Sequence, residues 1–206
     1  MTPGKRAMDL ALALFLSVVL VLPMMLIAVM ILMIDGRPVF YTSQRMKSPT
    51  VPFRLWKFRT MRPRVEDHTV SAGYKNQSIT RTGRFLRRTR LDELPQLLNI
   101  LRGDMSFVGP RPPLPRYVQL FPEIYGAVLQ KRPGVTGLAT LRFHRREEQL
   151  LAQCMTAEET DTTYRRRCIP AKARLDLIWA QNHSLCFDLK LILETVKKVF
   201  GLGRRS

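Results

Sequence analysis

The segment "LALALFLSVVLVLPMMLIAVMILMI" (Leu10–Ile34) contains 25 residues and no charged side chain. A helix of this length can enter or cross the hydrocarbon core of a bilayer, and the segment is too long for the apolar core of a signal peptide. Pro23 lies at its centre, where it removes one backbone hydrogen bond, so the sequence predicts a kink at that residue. We therefore expect a membrane protein with its anchor at residues 1–36.

Basic residues flank this segment on both sides, with Lys5 and Arg6 before it and Arg37, Arg45 and Lys47 after it. A helix that spans the bilayer usually carries its positive bias on the cytoplasmic side only. Two basic flanks favour a re-entrant hairpin, in which the chain enters one leaflet, turns at Pro23 and leaves on the same face. A kinked spanning helix is the alternative that the residues leave open.

Residues 37–206 are long enough to form one domain with its own core. The chain has 34 Lys and Arg residues against 16 Asp and Glu residues, a net charge of +18. Such an excess indicates polyanionic partners, which include anionic lipid, phosphorylated substrates and nucleic acid. The sequence has no nucleic-acid-binding motif, and its basic residues are not interleaved with aromatic side chains that could stack on bases. Nucleic acid is therefore not an expected partner.

The hydrophobic periodicity after residue 36 predicts a mainly α fold with a small β element. The expected elements begin with strands in 36–45 and 52–61 and a loop over 62–80. Two helices follow, the first carrying Arg81, Arg84, Arg87 and Arg88, and the second carrying Leu94, Leu97, Leu98 and Leu101 and ending at Gly103. A rigid non-helical "GPRPP" (109–113) and a helix in 121–132 come next. A C-terminal amphipathic helix is also expected, with an apolar stripe of Leu189, Ile192, Leu193, Val196 and Phe200. That stripe can pack on the core, the more frequent outcome, or lie in the membrane interface.

An acidic pair, Asp92 and Glu93, lies inside the most basic stretch, "RRTRLDELPQ" (87–96). In the simpler interpretation, Asp92 caps a helix and Glu93 is a first-turn acid favoured by the helix dipole. In the functional interpretation, a helix N-terminus and nearby arginines bind phosphate, while a carboxylate holds Mg²⁺ or attacks phosphorus. Adjacent helical residues point about 100° apart, so the two carboxylates would have different roles.

Several motifs resemble those of the bacterial sugar transferase family, the small monotopic phosphoglycosyl transferases. The motifs are "LDELPQLLNILRGDMSFVGPRPP" (91–113), "KRAMDLALALFLSVVLVLP" (5–23), "KFRTM" (57–61), "PGVTGL" (133–138) and "DLKLILETV" (188–196). They follow the order of the family and cover nearly the whole chain. The resemblance implies a membrane helix–break–helix that does not cross the bilayer, amphipathic helices and a compact cytoplasmic domain at residues 37–206.

The resemblance also implies the reaction. Members transfer a sugar 1-phosphate from a UDP-sugar to a polyprenyl phosphate, release UMP and thereby initiate assembly of an O-antigen, capsule, exopolysaccharide or glycoprotein glycan. By motif match, Asp92 would be the nucleophile that carries the phosphosugar covalently, and Glu93 its partner, with Mg²⁺ held by the pair. Arg111 and Arg87 would contact phosphate, as would Lys57 and Arg59 of "KFRTM".

The implied location is the bacterial inner membrane, with the catalytic domain on the cytoplasmic face and anionic lipid of one leaflet as a partner. The family's usual Ser-Pro at the membrane break is Leu22-Pro23 in this chain, and "TLRFHRREEQ" (140–149) replaces a common continuation, so the donor sugar is not assigned.

The sequence leaves the oligomeric state open between a monomer and a homodimer. A different class, a non-catalytic membrane-tethered protein that binds anionic lipid or nucleic acid, would explain the charge and the apolar segment but not the acidic pair followed by Gly-Pro-Arg-Pro.

Overall fold

The computed structural model describes residues 1–62 and 79–199. In chain order, the elements are α1 (Pro3–Ile34), β1 (Phe40–Met46), β2 (Pro52–Phe58), α2 (Arg81–Thr89), a 3₁₀ helix (Leu91–Gln96), α3 (Leu97–Arg102), β3 (Ser106–Val108), α4 (Pro115–Leu120), α5 (Pro122–Val128), β4 (Gly134–Thr136), α6 (Leu138–Ala152), α7 (Ala157–Thr163), a π-helix (Tyr164–Cys168), α8 (Ile169–Asn182) and α9 (Leu185–Val199). The predicted mainly α fold with a small β element is confirmed. The loop predicted over 62–80 lies largely outside the described residues.

Helix α1 is continuous over 32 residues and contains Pro23 in its interior. The chain forms one helix across Pro23 where the family resemblance implied two helices with a break, and the predicted kink and hairpin stay predictions. A single proline costs one main-chain hydrogen bond, and packing of the flanking turns can offset that loss. Among the described residues, α1 is the only helix long and apolar enough to cross a membrane. Its route through the bilayer stays a prediction.

Both ends of α1 are attached to the body of the protein. Near its start, Lys5 forms a buried ion pair with Asp188 of α9, and Trp179 donates its indole N–H to the same carboxylate at 2.9 Å. Near its end, Ile27 and Ile31 pack against Phe58 of β2 and Leu86 of α2. Between these attachments, most side chains are exposed and apolar, including Leu14, Phe15, Val18, Val21, Leu22, Met25 and Leu26.

The core consists of contiguous apolar clusters that join α1 to the rest of the chain. One cluster contains Ala13 of α1 together with Leu55, Ile100, Val108 and Trp179. A second lies between the hairpin and the C-terminal helices, and its members are Met46, Tyr117, Val118, Tyr125, Val128, Leu129, Ile169 and Ala173. Because Ala13 is completely buried in the first cluster, the first half of α1 is part of the folded body as well as an apolar anchor.

The two small sheets hold the loops that form the candidate site. Strands β1 and β2 pair antiparallel, with Tyr41 opposite Lys57. Strands β3 and β4 pair in parallel, and the amide of Gly109 donates to the Thr136 carbonyl at 2.9 Å. A Cβ at Gly109 would lie 2.3 Å from the Arg132 carbonyl oxygen, so only glycine permits this approach of the two chain segments. The pairing fixes the start of the Gly-Pro-Arg-Pro loop.

The C-terminal helix α9 has most of its apolar stripe on the outside. Leu189, Leu193 and Val196 are 46%, 59% and 44% exposed, whereas Asp188 and Leu191 face the core. Core packing was the more frequent outcome expected for the stripe, without excluding an exposed face, and the structure shows both: Ile192 packs against the core, whereas Leu189, Leu193 and Val196 face outward. The reason is the buried ion pair of Asp188 with Lys5, which turns the neighbouring face of the helix inward. Phe200 lies outside the described residues.

Candidate active site

The acidic pair lies on the 3₁₀ helix Leu91–Gln96, which begins after Arg90 in the left-handed conformation (φ 60°). The side chain of Asp92 makes no capping hydrogen bond there, so the predicted N-cap role is wrong. Because a 3₁₀ helix has three residues per turn rather than 3.6, it also shifts the faces of the helix that follows. Of the predicted apolar stripe, Leu97 is buried and Leu94 and Leu101 pack against core clusters. Leu98 is 43% exposed, and Ile100 of α3 is buried in its place.

Both carboxylates are buried, with Asp92 7% and Glu93 8% exposed. The side chain of Asn99 fixes β2 beside them, since it accepts a hydrogen bond from the Trp56 amide at 3.1 Å and donates to the Arg54 carbonyl at 2.8 Å. This contact places Lys57, the next residue of β2, against the 3₁₀ helix. Buried polar residues are normally hydrogen-bonded, so the partners of the two acids define the site.

Glu93 binds two cations from separate parts of the chain. Its Oε1 accepts from Lys57 Nζ at 2.7 Å and from Arg111 Nη2 at 2.8 Å, while Arg90 Nη1 lies 3.7 Å from Oε2. Burial by itself would raise the pKa of Glu93, but the charges of Arg111 and Lys57 and the hydrogen bond from Lys57 outweigh burial and lower that pKa well below its usual range. Glu93 is therefore ionised and fixes the positions of Lys57 and Arg111.

Asp92 is in a different electrostatic position. Among the described residues, its one ion pair joins Oδ2 to Lys57 Nζ at 3.9 Å, beyond hydrogen-bond distance. Burial raises the pKa of Asp92, the charge of Glu93 adds to the rise, and Lys57 and Arg87 oppose it. The ionised carboxylate is thus poorly solvated and poorly paired. Such a group is suited to bind a metal ion or to attack an electrophile.

The basic residues around the pair carry positive charge that the acids only partly balance. Burial lowers the pKa of Lys57, which Glu93 opposes. The charge of Glu93 raises the pKa of Arg111, against the effect of burial. Arg111 lies in the non-helical segment 109–114, as predicted for Gly-Pro-Arg-Pro. A phosphate that entered here would find donors already held in place.

Arg87 lies on α2 and borders the site. Its Nε donates to Thr60 Oγ1 at 2.8 Å, which holds the side chain toward the end of β2, and its charge lowers the pKa of Asp92 against the effect of burial. The role predicted for Arg87 as a second phosphate contact stays a prediction.

Arg59, which directly follows β2, contacts the backbone that follows α1. Its guanidinium donates to the carbonyls of Arg37, Asp35 and Gly36 at 2.7, 2.6 and 2.7 Å. These carbonyls follow the end of α1 and lack helical partners. Arg59 therefore fixes the exit of α1, and its predicted contact with phosphate stays a prediction.

The expected Mg²⁺ would need oxygen ligands from the acidic side chains of the site. No group of three or more His, Cys, Asp or Glu side chains gathers among residues 1–62 and 79–199. Mg²⁺ does not need one, because it usually binds through one or two carboxylates together with substrate phosphates and waters. Asp92 fits this mode, since its carboxylate is poorly paired. Glu93 fits it less well, because its Oε1 already accepts from Lys57 and Arg111.

The sequence motifs did not identify Arg90 as part of the site. Its Nη1 lies 3.7 Å from Glu93 Oε2, three residues along the chain. The available signal was this i, i+3 spacing of opposite charges, which commonly brings side chains together. The left-handed backbone at Arg90 was not predictable from its residue type, since that conformation favours glycine or asparagine.

Comparison with known proteins places this geometry in a defined class. The sequence profile of the family described as "Bacterial sugar transferase" matches residues 2–202. The chain is 33% identical over 200 residues to the UDP-glucose:undecaprenyl-phosphate glucose-1-phosphate transferase of Escherichia coli K12, and the match covers 95% of this chain and 40% of that protein. A Caulobacter vibrioides protein of the same name is 37% identical over 198 residues, covering 93% of this chain and 68% of that protein.

A third relative has a different donor in its name. It is the UDP-N-acetylgalactosamine-undecaprenyl-phosphate N-acetylgalactosaminephosphotransferase of Aeromonas hydrophila, 31% identical over 207 residues, with coverage of 98% of this chain and 45% of that protein. The chain thus spans less than half of two of these relatives. It belongs to the bacterial sugar transferase family, which confirms the family identified from the motifs.

Proposed function

We propose that this protein is a phosphoglycosyl transferase that moves a sugar 1-phosphate from a UDP-sugar to a polyprenyl phosphate and releases UMP. The relatives named above are described by this type of reaction with undecaprenyl phosphate as acceptor. The observation that carries the proposal is the division of roles within the acidic pair. Glu93 binds Lys57 and Arg111 at 2.7 and 2.8 Å, whereas the one ion pair of Asp92 within the described part of the chain is the 3.9 Å contact with Lys57.

In the first step, a carboxylate oxygen of Asp92 attacks the β-phosphorus of the UDP-sugar. The bond between that phosphorus and the bridging oxygen breaks, and its electron pair leaves with UMP. The sugar phosphate is then joined to Asp92 as an acyl phosphate. The burial that raises the pKa of Asp92 also deprives the ionised form of water, which favours its use as a nucleophile.

In the second step, an oxygen of the polyprenyl phosphate attacks the phosphorus of the acyl phosphate. The bond to Asp92 breaks, the carboxylate is regenerated, and the product is a polyprenyl diphosphate sugar. No external oxidant or cofactor-derived atom is needed, because each step exchanges one phosphorus–oxygen bond for another.

Glu93 acts as a positioning residue in this scheme. It orients Lys57 and Arg111, and these two cations bind the non-bridging oxygens of the reacting phosphate. Mg²⁺ bound by Asp92 together with the substrate diphosphate would supply charge neutralisation at the same phosphates. Glu93 could join this coordination through Oε2, which lies 3.7 Å from Arg90 Nη1, while Oε1 keeps its contacts with Lys57 and Arg111.

The membrane location follows from the exposed apolar surfaces. The middle of α1 and the stripe Leu189, Leu193 and Val196 of α9 are exposed to solvent or lipid. Lys190 and Lys197 border that stripe, and each basic residue near an anionic leaflet contributes about 1 kcal/mol. In our proposal, α1 enters one leaflet of the inner membrane from the cytoplasmic face. The polyprenyl tails remain in lipid while the UDP-sugar arrives from water.

The reaction is tested by turnover of variants reconstituted with polyprenyl phosphate, Mg²⁺ and a panel of UDP-sugars. We expect Asp92→Asn to lower UMP release at least about 1,000-fold, because it removes the nucleophile. Asp104→Asn is the matched control. It removes a carboxylate that pairs with Lys47 at 3.0 Å just beyond α3, and we expect UMP release within about three-fold of the wild type.

Two results would contradict the proposal. If Asp92→Asn retained the turnover of the control variant, Asp92 would not be the nucleophile. If the wild type released no UMP from any donor while it still bound anionic vesicles, the rival class of a non-catalytic membrane-tethered binding protein would be favoured.

A further inference from the structure

A second arginine, Arg45 of β1, lies beside the Gly-Pro-Arg-Pro loop. Its Nη1 donates to the Pro112 carbonyl at 3.4 Å and its Nε donates to Ser43 Oγ at 3.4 Å. Both contacts are at the long end of the hydrogen-bond range. The next residue of the strand, Met46, fixes the loop more firmly, because its amide donates to the Pro113 carbonyl at 3.1 Å. Arg45 is therefore held next to Arg111 by the backbone rather than by strong side-chain contacts.

Arg45 is half-buried, and its surroundings lack the negative charge that normally accompanies such an arginine. Among the described residues, Arg45 forms no ion pair, whereas Arg111 is paired with Glu93 at 2.8 Å. Burial lowers the pKa of Arg45, the charge of Arg111 lowers it further, and Tyr164, Tyr41 and Glu93 act in the opposite direction. Two neighbouring guanidinium groups repel each other, and of this pair Arg111 alone has a carboxylate partner among the described residues. An anion bound between them would remove this repulsion.

We infer that Arg45 binds the phosphate of the leaving nucleotide, which is the α-phosphate of the donor and later the phosphate of UMP. The inference rests on the proposed function. It assigns to Arg45 a task different from that of Lys57 and Arg111, which bind the phosphate under attack. In the sequence, Arg45 belongs to the basic flank that follows the membrane segment.

The order of contacts in the site supports this assignment. From Asp92 the contacts lead to Lys57, then to Glu93 and then to Arg111. Arg45 follows, against the carbonyl of the residue after Arg111. In phosphoryl transfer the attacking and leaving oxygens lie roughly in line on opposite sides of the phosphorus. Arg45 is the cation that this series of contacts reaches last from Asp92, and we therefore assign it to the leaving side.

The chemistry gives Arg45 a role in the first step. When the bond between the β-phosphorus and the bridging oxygen breaks, its electron pair stays on the α-phosphate, and negative charge grows there. A guanidinium can donate two parallel hydrogen bonds to such a phosphate and stabilise that charge. A lysine at the same position would keep the charge but lose the paired geometry.

The test is isothermal titration of UMP and of uridine into the full-length protein in detergent with Mg²⁺. We expect Arg45→Gln to weaken UMP binding about 10- to 100-fold and to leave uridine binding unchanged, because uridine lacks the phosphate. Arg45→Lys should show an intermediate loss. Arg54→Gln is the matched control, since it removes an exposed arginine from the partner strand of the same hairpin.

Each contrary result separates this inference from the proposed function. Unchanged UMP binding in Arg45→Gln would overturn the inference even if the wild type forms the covalent sugar-phosphate adduct. An equal loss of UMP and uridine binding would also overturn it, because Arg45 would then only support the fold. If circular dichroism shows that Arg45→Gln does not fold, the UMP and uridine affinities of Arg45→Lys are compared instead. A loss confined to UMP then supports the inference, and any other result overturns it. A wild-type protein that binds no UMP and forms no adduct would contradict the proposed function as well.

Discussion

At the scale of single residues, the acidic pair shows how neighbouring carboxylates acquire different properties. Burial raises the pKa of Asp92, while Arg111 and Lys57 overcome burial and lower the pKa of Glu93. Groups whose environments separate their pKa values in this way are typical of catalytic sites. Glu93 is stabilised as an anion and organises the cations, and Asp92 is left as the less stable anion.

This difference predicts that the nucleophile lowers the stability of the protein. The folded-state pKa of Asp92 is raised, so the folded state binds the proton more tightly than the unfolded state, and stability falls as the pH rises from the unfolded pKa through the folded one. Asp92→Asn removes the ionisable group and with it this loss of stability at high pH. We expect its melting temperature to exceed that of the wild type at pH 8, with the difference shrinking towards pH 4.

The measurement is thermal unfolding in detergent, without substrate, at several pH values. Asp104→Asn is again the control, because it removes a carboxylate paired with Lys47 and should not raise the melting temperature. A wild type that is as stable as Asp92→Asn at pH 8 would show that the ionised Asp92 carries no burial cost.

At the scale of elements, α1 is joined to one body at both ends. Lys5 pairs with Asp188 at its start, and Arg59 donates to the carbonyls of residues 35–37 just after its end. A straight helix of 32 residues would be about 48 Å long, whereas the hydrocarbon core is about 30 Å thick. A helix that left its end on the far side of that core could not bring both ends to the same body.

These attachments predict that both ends of α1 are on the cytoplasmic side. Thr2→Cys and Thr50→Cys, each in a variant without the native cysteines, introduce thiols at exposed positions before and after the helix. We expect a membrane-impermeant maleimide to label both in inverted membrane vesicles and neither in intact spheroplasts. Labelling of the two positions from opposite sides would establish a spanning helix.

At the scale of the whole molecule, the motifs predicted the family and the meeting of Lys57, Glu93 and Arg111, which come from three separated segments. They did not predict that Arg59 binds the carbonyls after α1, because unpaired carbonyls give no signal in the sequence. The stripe of α9 had the right periodicity, but only Ile192 of its described residues packs on the core, since a pattern does not reveal that Lys5 would turn Asp188 inward. Local sequence predicts which residues form a face, while distant charges decide what that face contacts.

The most direct test of the central claim is intact-mass spectrometry of the purified protein after incubation with Mg²⁺ and each UDP-sugar, without acceptor. We expect the wild type and Asp104→Asn to gain the mass of one sugar phosphate, and peptide mapping to place it on Asp92. Asp92→Asn should gain nothing, and addition of polyprenyl phosphate should remove the adduct from the wild type. Absence of any adduct, with UMP released only when polyprenyl phosphate is present, would contradict the covalent mechanism and indicate direct transfer between the two substrates.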